Sequence, residues 1–137
     1  MSYNWNTRTE LLLGADRMER LAHSHVLVVG LGGVGAYAAE QICRAGIGHM
    51  TIVDADTVNE SNINRQLPAL HSTLGMPKAE VEARRLLDIN PRLKLNVLNE
   101  FLRDERTEEV LSATRDDFVV DAIESLRRKV FLLYHAY

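Results

Sequence analysis

An apolar strand that runs straight into a cluster of glycines constrains this chain more than any other feature. From His25 to Gly35 the sequence reads HVLVVGLGGVG. Val26 to Val29 form a continuous β-branched and apolar run, the pattern of a strand buried on both faces of a parallel sheet. Gly30, Gly32, Gly33 and Gly35 then let the backbone turn tightly and approach a ligand, because no Cβ obstructs either movement. A helix is expected to open at Val34, aiming its free amides and the positive end of its dipole at whatever lies over the turn. An anion, typically a phosphate, is favoured there. The competing reading is a glycine-rich turn inside an ordinary α/β domain.

The next strand sharpens the first reading. Met50 to Asp54 (MTIVD) ends in an acid 24 positions after Gly30, the spacing of a nucleotide-binding βαβ unit in which the carboxylate accepts hydrogen bonds from ribose hydroxyls. A turn or helix cap is the other use for Asp54. Between the strands, Val34, Ala38, Ala39, Ile42, Cys43 and Ala45 give a helical stripe of small residues suited to close packing on a sheet, ended by Gly46 and Gly48. Cys43 belongs to that stripe and reads as a packed core thiol. The right-handed crossover rule makes the two strands parallel neighbours.

After Asp54 the polar loop DADTVNESNINRQ carries Asn62, Arg65 and Gln66, the candidates for further nucleotide contact. A hydride-transfer domain has no special need of a fixed cation in this loop. A triphosphate does, because charge must be held and redistributed as a phosphoanhydride breaks. Pro77 opens a helix with Ala79, Ala83, Leu86 and Leu87 on one face, which puts Lys78 where the helix dipole opposes a cation. An anionic ligand explains Lys78 better than helix stability does; a solvated surface lysine is the alternative. Asn90-Pro91 stops that helix. Lys94 to Leu98 then reads as a strand, Asp104 to Ala113 as a charged helix and Phe118 to Ile123 as another strand. Asp121 and Glu124 at its carboxyl edge are expected to converge with Asp54 on the glycine turn, where a carboxylate beside phosphates suits a magnesium ion. One of those two acids is also a candidate helix cap, in competition with Ser125.

Upstream, Arg8 to Ala22 reads as one helix or two, interrupted near Gly14, with Leu11, Leu12, Met18 and Leu21 on the apolar side. The last helix places Leu126, Val130, Leu133, Tyr134 and Tyr137 on one stripe and groups Arg127, Arg128 and Lys129 near its start. The fold class is therefore α/β: a Rossmann-like, mainly parallel sheet with flanking helices over 25–137, preceded by an N-terminal helical arm over 1–24. The apolar closing helix reads as the first part of a longer protein, and the 137-residue chain is expected to be inactive alone.

Composition excludes several classes. The balance of 16 basic against 19 acidic residues carries no global nucleic-acid or membrane signature. One cysteine excludes a disulfide framework or a cysteine-rich zinc site within this chain. No apolar run reaches the roughly 18 residues of a membrane span, so a cytoplasmic protein without membrane partners is expected.

Seven ordered blocks carry a resemblance: RTELLLG (Arg8 to Gly14), GLGGVG (Gly30 to Gly35), DADTV (Asp54 to Val58), SNINRQ (Ser61 to Gln66), GMPK (Gly75 to Lys78), INP (Ile89 to Pro91) and DAIES (Asp121 to Ser125). Together they resemble the ubiquitin-activating-enzyme-like adenylyltransferases, the ThiF/MoeB/HesA family. Within it, RTELLLG, GVGAYAAE, RAGIG and the DAIES-LRRK end are most similar to the tRNA threonylcarbamoyladenosine dehydratases. The likeness covers almost the whole chain, but only the amino-terminal portion of such an enzyme.

That resemblance implies an ATP site in which Gly32 and Gly33 border the nucleotide, Asp54 holds the ribose, and Asn62, Arg65 and Lys78 bind the phosphates. It implies a homodimer in which Arg8 reaches across to the partner's ATP. It also implies Mg2+, with Glu124 standing where the family usually has aspartate. The implied reaction is attack of a carboxylate on the α-phosphorus of ATP, with Arg65 and Lys78 stabilising the developing charge. The implied substrate is the threonylcarbamoyl group on adenosine 37 of tRNA; the alternative is the carboxyl terminus of a ubiquitin-like sulfur carrier. A nicotinamide-dependent oxidoreductase and a non-catalytic scaffold are the competing classes.

Overall fold

Two helices, α1 (Thr7–Leu13) and α2 (Ala15–Ala22), precede the first strand, with the break at Gly14. The computed structural model describes residues 4–123 and 126–136. The chain then alternates strand and helix: β1 (His25–Val29), α3 (Gly35–Ala45), β2 (His49–Val53), α4 (Lys78–Ile89), β3 (Lys94–Leu98), α5 (Asp104–Thr114), β4 (Phe118–Asp121) and α6 (Leu126–Ala136). The four strands pair in parallel in the order β3-β2-β1-β4. From the central β1 the chain winds outward through β2 and β3, then crosses back to lay β4 on the other side. That reversal opens a crevice beyond the carboxyl ends of β1 and β4, where open α/β sheets bind ligands.

The apolar run of β1 is explained by what covers each face. Val26 and Val28 join Met50 and Ile52 in a core beneath α3 and α4, built with Ala36, Ala39, Cys43 and Leu86. Leu27 and Val29 point the other way and join Val53, Leu102, Val110 and Leu132 beneath α5 and α6. Alternate residues of a strand face opposite sides, so a strand covered on both sides must be apolar throughout. Each such buried side chain contributes about 1.5–3 kcal/mol. The outer strand β3 instead exposes Lys94 and Asn96, which keeps one edge of the sheet polar.

The helical stripes differ from their sequence reading in detail. α3 begins at Gly35 rather than Val34, and Val34 stands exposed at the cap; Ala36 and Glu40 take the buried positions. Glu40 tolerates this because Arg44 and Arg85 pair with it at 2.9 and 3.0 Å. On α4, Leu87 is exposed and Val81 and Glu82 are buried in its place. On α6, among the residues whose side chains are described, Leu132 is fully buried, whereas Val130, Leu133 and Tyr134 are exposed. Leu11 and Leu12 of α1 are 69% and 81% exposed, whereas Leu21 of α2 packs against the core beneath α3 and α4. Ala39 and Cys43 on α3 and Ala79, Ala83 and Leu86 on α4 are buried as read; the positions that differ do so because periodicity alone does not supply the direction of the core.

Cys43 is the core thiol its position suggested. It is fully buried, its thiol donates to the Leu86 carbonyl at 3.5 Å, and burial pushes its pKa up to about 11. Alkylation by iodoacetamide at pH 8 is expected to be at least about a hundredfold slower in the native chain than in urea, since the thiolate is the reactive form. Equal rates in both states would show that the α3–α4 seam opens freely.

Candidate functional site

The crevice at the carboxyl edge of the sheet is a cleft of about 340 Å³, within the size range of small-molecule sites. Val29 and Val53, the last residues of β1 and β2, line it together with Gly30 and Gly32 of the glycine turn. The segments that follow β3 and β4 complete it through Glu100, Phe101, Leu102, Ala122 and Ile123.

The glycine turn is shaped by two close approaches of backbone to backbone. Gly30 has φ +95°, and a Cβ there would lie 2.6 Å from the Ala122 carbonyl oxygen. A Cβ on Gly35 would lie 1.6 Å from the Gly30 carbonyl oxygen. The turn therefore lets α3 start directly against the end of β1. Among the described residues no side-chain hydrogen bond caps α3 at Val34, and the first amides of a helix have no partner within it. The backbone geometry is that of a tight glycine turn leading into a helix start, where helix amides favour an anion.

Asp54 sits in the cleft, and its carboxylate organises the backbone around it. Oδ2 accepts a hydrogen bond from the Leu31 amide at 2.7 Å, and Oδ1 accepts one from the Asp56 amide at 2.7 Å. The capping use and the ribose use are thus compatible, because each carboxylate oxygen keeps a further lone pair. Lys78 also lines the cleft and is only 5% exposed, which removes the solvated-lysine alternative. Its Nζ lies 3.9 Å from Asp56 Oδ2. Gln66 is buried in the same wall, and its Oε1 has no hydrogen-bond partner among the described residues. The cleft wall thus holds both an acceptor and a cation that are buried, the groups a polar ligand would meet.

The remaining candidates are placed less directly. Arg65 is exposed, with Nη1 donating to the Ser61 carbonyl at 3.1 Å and to Asn64 Oδ1 at 2.9 Å. Its stem lies over Gly33, where a Cβ would come within 3.7 Å of the Arg65 Cγ. Asn62 is buried in the loop after β2, where its Oδ1 accepts from the Asn59 amide at 3.0 Å and closes a reciprocal cap. Arg8 is exposed on α1. Asp121, expected to converge on the glycine turn, pairs with Lys129 at 3.2 Å and accepts a hydrogen bond from the Ile123 amide at 3.2 Å. Glu124 and Ser125 lie outside the described residues, as do the side chains of Arg127 and Arg128. Among the described residues no group of three or more His, Cys, Asp or Glu could hold a metal ion, and no helix is long and apolar enough to cross a membrane.

Sequence reading missed Asp56 and the wall formed by Glu100, Phe101 and Leu102. The rule that ligands sit beyond the carboxyl ends of strands would have found the residues after β3, because that strand was identified with its correct limits. Asp56 gave no such signal, since its partner lies beyond the whole polar loop.

Comparison with known proteins is consistent with this geometry. A family model described as the ThiF family matches residues 3–136. The tRNA threonylcarbamoyladenosine dehydratase of Bacillus subtilis is 40% identical over 127 residues, covering 93% of this chain and 50% of the relative. The molybdopterin-synthase adenylyltransferase of Haemophilus influenzae is 36% identical over 111 residues, covering 81% and 45%. Among solved structures, E. coli tRNA N6-threonylcarbamoyladenosine dehydratase in complex with ATP superposes with a TM-score of 0.89 at 40% identity, covering 96% of this chain and 55% of that one. This chain spans about half the length of the curated relatives it matches.

Proposed function

This chain belongs to the ThiF family, and we propose that its cleft binds ATP for the adenylation of a carboxylate, namely the threonylcarbamoyl group on adenosine 37 of a tRNA. The observation that carries the reading is Lys78, a lysine almost fully buried at a helix start, in the wall of a cleft that the glycine turn also lines. Burying an ammonium there and opposing the helix dipole are both unfavourable, and a polyphosphate offsets both. The relatives at about 40% identity named as tRNA threonylcarbamoyladenosine dehydratases support the acceptor.

In this reading the ribose meets the free lone pairs of Asp54, and the phosphates lie across the turn towards Lys78. A substrate carboxylate oxygen attacks the α-phosphorus, the bond to the pyrophosphate breaks, and an acyl adenylate forms. Ring closure then expels AMP, for a net loss of water. Lys78 and the α3 amides stabilise the charge that moves onto the pyrophosphate oxygens. Arg65 joins them by giving up its exposed contacts to Ser61 and Asn64, pivoting on the stem that lies over Gly33. The protein mainly positions the reactants, so no nucleophilic side chain is needed and buried Cys43 is excluded from the chemistry.

Mg2+ would accompany the triphosphate. Such ions use one or two carboxylates plus phosphate oxygens, and Asp121, paired with Lys129, is not free for that role. Glu124 remains the proposed ligand, and no step above depends on it. A homodimer is part of the same reading: Arg8 stands exposed on α1, which also exposes Leu11 and Leu12, an apolar surface that a second copy would cover.

Calorimetry is expected to show ATP binding to this chain, weakened roughly thirtyfold by Lys78→Met with the thermal transition retained, as for loss of a hydrogen-bonded charge. Binding of NADH in preference to ATP would overturn the assignment. For the full-length enzyme, since this chain spans about half the length of the curated relatives, pyrophosphate release is expected only with tRNA that carries threonylcarbamoyladenosine. The second reading, favoured by the molybdopterin-synthase adenylyltransferase relatives, predicts release with a ubiquitin-like sulfur carrier instead.

A further inference from the structure

Lys78 does not reach the cleft by its own helix alone. The segment after β2 and the segment before α4 run against each other as a short antiparallel pair, with a bridge between Thr57 and Pro77. Its hydrogen bonds run from the Lys78 amide to the Asp56 carbonyl at 3.0 Å and from the Val58 amide to the Met76 carbonyl at 2.8 Å. The same Asp56 places its carboxylate 3.9 Å from the Lys78 Nζ and donates its amide to Asp54. Asp54 in turn accepts from Leu31 of the glycine turn. One continuous set of contacts therefore links the turn, the ribose-side acid and the buried lysine, with Asp56 at its centre.

We propose that Asp56 is the positioning residue for Lys78, holding the ammonium over the cleft before ligand arrives and releasing it to the phosphates. This rests on the ATP reading above. The geometry suits a holding contact better than a permanent one. The carboxylate of Asp56 is 58% exposed and the separation is long for an ion pair, so the contact is weak and readily exchanged for a phosphate oxygen. Lys78 is nonetheless confined by it, because a lysine stem has four rotatable bonds and its freedom must be lost before the ammonium can meet a ligand. Asp56 also opposes this role, since its own charge repels the incoming phosphates. Exposure decides between the two effects: water screens the repulsion, whereas the positioning acts on a buried side chain.

Those opposed effects make the inference testable by a double-mutant cycle on the full chain, read by ATP calorimetry. In the presence of Lys78, Asp56→Asn is expected to weaken ATP binding about three- to tenfold, and Asp56→Glu to restore part of the loss. In the Lys78→Met background the same Asp56→Asn change is expected to leave ATP binding unchanged or tighten it, because only the repulsion remains to be removed. Adenosine, which carries no phosphate, is expected to bind equally to the parent and Asp56→Asn chains. Equal weakening in both backgrounds would assign Asp56 a purely structural role and overturn the inference. Tighter ATP binding on Asp56→Asn alone would overturn it as well. A parent chain that binds no ATP removes this inference together with the function above; a parent that binds ATP, with Asp56→Asn unaltered, removes this inference only.

Discussion

Gly35→Ala is expected to destabilise the chain by at least about 4 kcal/mol or to prevent folding, the range reserved for severe steric or cavity defects. The added Cβ would lie 1.6 Å from the Gly30 carbonyl oxygen and 3.0 Å from the Ala122 Cβ. The nearer atom is backbone, so no rotamer change relieves the overlap. The start of α3 must lift from the end of β1, and the packing of Ala36 and Ala39 on the sheet is lost with it. Val34→Ala, one residue earlier at an exposed position, is expected to stay within about 0.5 kcal/mol of the parent. Urea unfolding of the two variants checks the contrast. A Gly35→Ala chain that unfolds at the parent midpoint would mean that α3 does not sit against the turn.

The second large effect concerns Glu82, which has no connection to the cleft. It is fully buried on α4, and neither carboxylate oxygen has a hydrogen-bond partner among the described residues. Burial, and then the nearby charge of Glu40, push its pKa from 4.5 up to about 8, against the opposing pull of Arg85. At neutral pH it is a buried, neutral carboxylic acid. The direction of the pH dependence follows from which state holds the proton. Below pH 4.5 both folded and unfolded chains are protonated at this group, and its stability contribution is fully present. As pH rises from there to about 8 the unfolded chain releases a proton that the folded chain keeps, so stability falls. Glu82→Met removes that loss and fills the site with an apolar chain of similar length. The variant is expected to be more stable than the parent by on the order of 3 kcal/mol at pH 8, and by much less at pH 5. Other titrating groups are common to both chains and cancel in the difference. A parent-to-variant difference that does not change between those pH values would show that Glu82 is ionised or solvated in the native chain.

Glu82 also shows where sequence reading loses its grip. Periodicity found α4 but assigned the buried face to Ala79, Ala83, Leu86 and Leu87, because an acid is not chosen for a core position when a leucine is available. Three of those four are in or near the core, and Leu87 is exposed. The same limit applies to α6, where Leu132 rather than Leu133 is buried. A helix of about three turns fits several stripes almost equally well, and the neighbouring elements decide which one is covered. The strands were easier. β3 was read with its observed limits and β1, β2 and β4 to within two residues, because runs bounded by glycine, proline and acids admit few alternatives.

The candidate site divides in the same way. Local sequence determined the strand, the glycine turn, the helix start and the acid that follows the second strand, because each depends on covalent neighbours and on glycine's missing Cβ. It also placed a lysine where its own helix disfavours it, which pointed to an anion before any contact was known. Tertiary structure alone decided that Lys78 is buried in the wall of the cleft, that Asp56 stands beside it, and that Asp121 pairs with Lys129. Those outcomes depend on the antiparallel contact between residues 56–58 and 75–78 and on the crossing of the chain from β3 to β4. Separation along the chain carries no information about such pairings; they arise only when the strands of the sheet are set side by side.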